Sequence, residues 1–363
     1  MTYQQLIHQI CLCLSLQHYP ERKDVVQLWL TSNTFKWEHL VSTLSGHFMI
    51  PAFYVNLQQA NLLQFLPNDL EAYLALITDL NRERNQQLIQ QATSINSLLK
   101  DEPQPPLFLK GTAFLLSGLY ADIAERMVGD IDFLVPQDQF LKVAFLLKQQ
   151  GYTAINNETD FDYLNAKHYP RLIHEHHLAA VEVHQTIIST EYKNPMPYEV
   201  LQAKAIKHQE LWTLSTEHLL WHNILNTQLN DKGIWFWQTT LRHYYDAFLL
   251  WHHSDLKNAG LKLAKLPHCR SYLAIMTDLF KVLQNPIPET THVKNARFWF
   301  QLSLKYPKTT LIFNKLMHIG LRMQYLCRKI QQTFVNKDQR KRILTILKTP
   351  QKYLEHLHHF NKK

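Results

Sequence analysis

Glycine is scarce in this chain, with 8 in 363 residues. An all-β or loop-rich fold needs glycine wherever the backbone turns through positive φ, so such a fold is not expected. Cysteine is scarcer still. The four present, Cys11, Cys13, Cys269 and Cys327, form no CxxC pair and no zinc-ligand spacing. Cys11 and Cys13 stand in an apolar helical run, where small buried thiols are ordinary. No apolar stretch reaches the ~18–20 uninterrupted residues of a membrane span. The N-terminus has no basic segment leading into an apolar run and a cleavage site. No secretory signal is read, and a cytoplasmic protein is expected. Acid is what the C-terminal end lacks. From Ala296 to Lys363 there are 15 Lys and Arg against two acids, Asp338 and Glu355, while the whole chain carries +8. Residues 1–295 are therefore net acidic. The basic end has two readings: contact with phosphate through residues such as Arg322, Arg328, Lys329, Arg340, Lys341 and Arg342, or a solvated helix face.

What is present is core-forming. Hydrophobic residues make up 46% and aromatics 12%, enough to bury a substantial interior. Residues 1–100 read as helical, with apolar stripes at Leu6, Ile7, Ile10 and Leu14 and a long helix over Leu80–Leu99. The run from Asp101 to Pro106 breaks that pattern. Short strands are then expected at Leu107–Leu109, Ile131–Val135 and Tyr152–Ile155, with a strand pair at Tyr169–Ile173 and Leu178–His184. Helices are expected at Thr112–Tyr120 and Gln137–Gln150. From Tyr198 onward the pattern is helical again, clearest over Leu211–Leu229, Trp235–His252, Ser271–Leu283 and Leu311–Phe334. The expected fold class is α+β, a small mixed sheet flanked by helical regions. The expected domains are a helical region over 1–100, an α/β core over 101–195, and a helical region over 196–363 with the basic end.

One tripeptide concentrates the chemistry. Asp130-Ile131-Asp132 opens an apolar strand, and residues two apart in a strand share a face. Both carboxylates then project the same way, while Ile131, Phe133 and Val135 bury the other face. Two like charges so close are costly unless a cation neutralises them, which is what a divalent-metal site offers. Such a pair alone is weak, but two companions strengthen it. Upstream, Lys110-Gly111-Thr112 stands where a strand gives way to a helix, and helix N-termini favour phosphate oxygens. Downstream, Ala180-Val181-Glu182-Val183-His184 puts one carboxylate in the middle of an apolar strand, where a core has little use for it.

This pattern resembles the signature of the polymerase-β-like nucleotidyltransferase superfamily. Leu109-Lys110-Gly111, Tyr120, Arg126, Gly129-Asp130-Ile131-Asp132 and Glu182-Val183-His184 look more narrowly like the bacterial family of uncharacterised nucleotidyltransferases. The resemblance spans about residues 107–250. It implies Asp130, Asp132 and Glu182 as catalytic residues and as ligands of Mg²⁺, or of Mn²⁺ in its place. It also implies Lys110, Gly111, Thr112 and Arg126 as nucleotide contacts. Several of these residues have a second reading. Lys110 could contact one of the aspartates, Arg126 could pair with Asp122 or Glu125 on a surface turn, and His184 could be a hydrogen-bonded sheet histidine. Arg242 and Asp246 stand four apart on one helix face, and the family resemblance includes a similar Asp after the core. Trp235, Trp237 and Tyr244 are either pocket walls or plain core.

The implied function is transfer of a nucleoside monophosphate from an NTP, ATP foremost, to an acceptor hydroxyl, with release of pyrophosphate. A small molecule, a protein side chain or an RNA end are all open as acceptor, and the basic end leans toward a polyanion. The alternative is a catalytically degenerate fold that binds nucleotide or nucleic acid without turnover.

Overall fold

A computed structural model describes residues 1–32, 34–155, 166–189, 192, 196–236, 240–253, 263–282 and 287–335. Residues 1–305 form one compact unit and residues from Tyr306 onward a second. Within the first unit, the N-terminal helices are α1 (Tyr3–Leu14), α2 (Lys23–Leu30), α3 (Trp37–Gly46), α4 (Ile50–Gln59) and α5 (Asn68–Leu98). Helix α1 opens on a capping box between Thr2 and Gln5, which satisfies two of the amides a helix start leaves free. Its apolar stripe is buried, with Cys11 and Cys13 fully enclosed. Helix α5 starts well before Leu80, the sequence-based start.

The sheet strands are β1 (Leu107–Phe108), β2 (Asp130–Leu134), β3 (Thr153–Ala154), β4 (Leu172–Ile173), β5 (Ala180–His184), β6 (Ile206–His208) and β7 (Leu211–Thr213). They form one mixed sheet in the order β3-β4-β5-β2-β1-β7-β6. The expected fold class is the one observed. The short helix α6 (Lys110–Leu116) follows β1, and α7 (Phe140–Gln149) follows β2. Ile131 and Phe133 of β2 and Val181 and Val183 of β5 bury one face of the sheet. They pack with Leu88, Ala92 and Ile95 of α5 and Val143, Ala144 and Leu147 of α7. Each of the Val, Leu, Ile and Phe side chains contributes about 1.5–3 kcal/mol through burial, which fixes which face of β2 is left for Asp130 and Asp132.

One part of the sheet was unexpected. Residues 211–213 are strand β7, not the start of a helix, and they pair antiparallel with β6. The connecting turn uses Gln209 at φ +54° where a hairpin ordinarily shows Asn or Gly, so the usual sequence mark of a hairpin is missing. Helix α8 (Tyr198–Gln202) precedes this hairpin. After it come α9 (Thr216–Leu225), one turn of π-helix over Asn226–Asn230, α10 (Gly233–Phe236), α11 (Leu241–His252), α12 (Pro267–Leu279) and α13 (Thr291–Lys305). The second unit contains helix α14 (Pro307–Val335). Arg340, Lys341 and Arg342 lie outside the described residues, as do the side chains of Arg322, Arg328 and Lys329 on α14. Among the described residues, no helix is long and apolar enough to cross a membrane.

Candidate active site

Strands β2 and β5 run parallel and in register, with Asp132 opposite Glu182. Paired strands lie about 4.8 Å apart, so in-register carboxylates on one face are neighbours. Asp130 stands two residues before Asp132 on the same face. Helix α5 holds the approach to this strand with polar side chains. Asn81 donates to the carbonyls of Ala124 and Arg126, Asn85 to those of Ile123 and Arg126, and Arg84 to those of Val128 and Gly129. Among them, the carbonyls of the buried residues Ala124, Arg126 and Val128 need such donors away from water.

The carboxylates do not face one another unshielded. Lys110 Nζ lies 2.5 Å from Asp132 Oδ1 and 3.7 Å from Glu182. His184 Nε2 lies 2.8 Å from the same Asp132 oxygen and 3.5 Å from Glu182. A carboxylate only accepts, so the His184 proton toward Asp132 sits on Nε2. Arg171 bridges the outer side, bound to Asp130 and with its Nε 3.8 Å from Glu182. Asp132, Glu182 and His184 each offer a ligand atom within 4.8 Å of the others.

Burial alone would raise the carboxyl of Asp132. The Lys110 ammonium and the His184 hydrogen bond outweigh it and hold the group well below the usual carboxylate range. Glu182 is also lowered, against the effect of burial, first by its hydrogen bond with His184. Asp130 is instead raised, because burial and the charges of Asp132 and Glu182 outweigh Arg171. Lys110 is raised: burial works against its charge, but Asp132 and Glu182 favour it more. Nearby Lys167 is pulled down to about 8 by burial and by the Lys110 charge.

The backbone at Lys110 is in the left-handed region, at φ +50°, which is uncommon for a residue with a side chain. The next residue must be small. A Cβ at Gly111 would meet the Val128 methyl carbons at 2.8 and 2.9 Å, inside any ordinary contact. Thr112 is buried, and its hydroxyl points to the Asp130 carbonyl at 3.4 Å. What this turn presents to a ligand is therefore its backbone amides and the Lys110 ammonium.

Arg126 is placed differently from the surface turn considered for it. It is buried and donates to both oxygens of Asp246, at 2.8 Å from Nε and 2.9 Å from Nη2, and from Nη1 to the Met127 carbonyl at 2.8 Å. All three of its nitrogens are engaged. Tyr120 donates its hydroxyl to Asp246 as well. The partners considered from the sequence are used elsewhere: Asp122 pairs with Arg82, and Glu125 accepts from Tyr245. Tyr244 is core, stacked on Tyr272 with ring centroids 4.6 Å apart. Trp237 lies outside the described residues, as does the side chain of Trp235.

A cavity of about 240 Å³ opens beside the carboxylates. Lys110, Gly111, Asp130 and Asp132 line it together with His222, Asp231 and Arg242. The sequence pattern did not single out Arg171, His222 or Asp231. Arg171 precedes a very short strand, and only the polar break in an apolar run could have marked it. His222 sits among apolar residues of α9 and reads as core.

A family model described as Uncharacterised nucleotidyltransferase matches residues 33–284, well over half of the chain. The protein is a transferase of the nucleotidyltransferase class, and it belongs to that family. No curated protein and no solved structure matches the chain.

Proposed function

We propose that this protein moves a nucleoside monophosphate from a nucleoside triphosphate, ATP foremost, to an acceptor hydroxyl and releases pyrophosphate. The observation that supports this reading is the in-register pairing of Asp132 with Glu182 across β2 and β5, with Asp130 two residues before Asp132 on β2 and Lys110 and Arg171 against these carboxylates. The donor set suits a hard divalent cation, since carboxylate oxygens are what Mg²⁺ takes, with Mn²⁺ also tolerating a nearby imidazole. Asp130 and Asp132 would hold it. Bound there, it would supply charge to the phosphate oxygens and acidify the acceptor hydroxyl.

The chain's own residues do the rest. Glu182 is held ionised by His184 and accepts the proton of the acceptor hydroxyl. The acceptor oxygen bonds to the α-phosphorus, the bond from that phosphorus to the bridging oxygen breaks, and pyrophosphate leaves. The amides of the turn at Gly111 and Thr112 and the Lys110 ammonium cradle phosphate oxygens. Arg126, with its nitrogens taken, holds α11 to the core. A polyanionic acceptor is the one the basic C-terminal sequence favours.

Calorimetry of the full chain with each NTP and Mg²⁺ tests the reading. Binding that needs the ion, prefers one base and disappears in Asp132→Asn is expected. A folded protein that binds no NTP at millimolar concentration would refute it.

A further inference from the structure

Two arginines line the same cavity but are neutralised to very different degrees. Arg126 is closed by the carboxylate of Asp246. Arg242, four residues before Asp246, forms no ion pair among the described residues. Its Nη1 donates to the Met127 carbonyl at 3.1 Å, and its guanidinium carbon lies 4.7 Å from the centre of the Phe48 ring. Its Nε is buried with no hydrogen-bond partner. Burial and the adjacent Arg126 charge pull the group down to about 10, against the opposite influence of Asp246, Tyr120 and Asp231. A part-buried cation with an unused donor and no counter-charge in contact is costly, as the unshielded aspartate pair would be.

The surroundings hold that cation in place. Phe48, whose ring covers it, adopts φ +58°. The preceding His47 accepts the Leu241 amide through Nδ1 at 3.1 Å and meets the Tyr3 hydroxyl through Nε2 at 2.8 Å. The first turn of α11 is thus fastened to the N-terminal helices, and Arg242 faces a cavity that Asp130 and Asp132 also line. Lys110 cannot serve the whole of a triphosphate, because its ammonium is shared between Asp132 and Glu182.

We propose that Arg242 anchors the β- and γ-phosphates of the nucleoside triphosphate, with the α-phosphate at Asp130 and Asp132. This rests on the nucleotidyl-transfer reading above and adds where the distal phosphates are held. A planar guanidinium donates to two phosphate oxygens at once, which a point charge does not match.

The test is a phosphate ladder. The full chain is titrated with AMP, ADP, ATP and inorganic triphosphate, using Ca²⁺ to suppress turnover, for wild type, Arg242→Gln and Arg242→Lys. Wild-type affinity rises along the ladder. In Arg242→Gln, ATP and inorganic triphosphate weaken about tenfold or more, AMP is unchanged, and Arg242→Lys recovers part of the loss. Melting curves confirm that the variants are folded. Equal binding of ATP by Arg242→Gln and wild type overturns this assignment alone. So does a uniform weakening of AMP and ATP, which marks a structural role. Failure of the wild type to bind any rung removes the parent reading, and this one with it.

Discussion

Two clusters of opposite charge lie within this fold, and they differ in how completely they are closed. In the first, Asp246 is fully buried and receives both Arg126 and Tyr120. In the second, three carboxylates share Lys110, Arg171 and His184 beside an open cavity. The closed cluster joins α11 to the segment before β2, and its groups satisfy one another. The open one keeps Asp130 part-exposed and raised, so its charges are not fully settled by the protein. Ion pairs are common to both, and what separates joint from site is the remainder left unpaired next to space.

The sharpest way to break this contrast is Asp246→Ala. It strands the buried Arg126 charge and the Tyr120 hydroxyl, and losing one partner of a buried pair costs about 3–5 kcal/mol. A large fall in melting temperature, or loss of soluble protein, is expected. A melting temperature within a degree or two of wild type would mean that the cluster is not a joint.

A smaller effect comes from the buried Glu125, near the same joint, where Asn56 and Tyr245 meet it. Burial raises its carboxyl to about 7. A raised acid is favoured folded when protonated. Stability therefore falls as pH rises from the unfolded value near 4.5 through 7, then levels. The drop is roughly 3 kcal/mol, at 1.36 kcal/mol for each unit of pKa difference. Urea unfolding at stepped pH reads it, and Glu125→Gln should flatten that part of the profile. An unchanged slope in the variant would assign the pH dependence to other groups.

Much of the open cluster was legible because it is local. The shared face of Asp130 and Asp132 follows from strand periodicity, and Glu182 stands out as a charge between valines. Lys110 against Asp132 was one of its two sequence readings. What could not be read is long-range pairing. Arg242 and Asp246 are four apart on one helix and look like partners, yet Asp246 turns to Arg126, 120 residues away in sequence. Helical spacing brings two side chains within reach, but tertiary packing decides which of them is buried. Arg171 escaped notice for the same reason, since nothing near it in sequence indicates Asp130. The β6–β7 hairpin was hidden because Gln209 takes the turn position that glycine would have marked.

The smallest expected effect is the most discriminating. Asp130→Asn removes a carboxyl that its surroundings, on balance, hold above the ordinary range, by burial and by the charges of Asp132 and Glu182. Its folded-state pKa is raised, so ionising it at neutral pH works against folding, and a neutral amide removes that cost. Without divalent ion at pH 7, the variant should melt at the wild-type temperature or slightly above. The substitution also breaks the ion pair with Arg171, which is part-exposed and worth little, within about 1 kcal/mol. The same variant should lose Mg²⁺-dependent NTP binding. A clear drop in melting temperature would place the Arg171–Asp130 pair with Arg126–Asp246 as a structural joint, and the contrast between the two clusters would no longer mark the site.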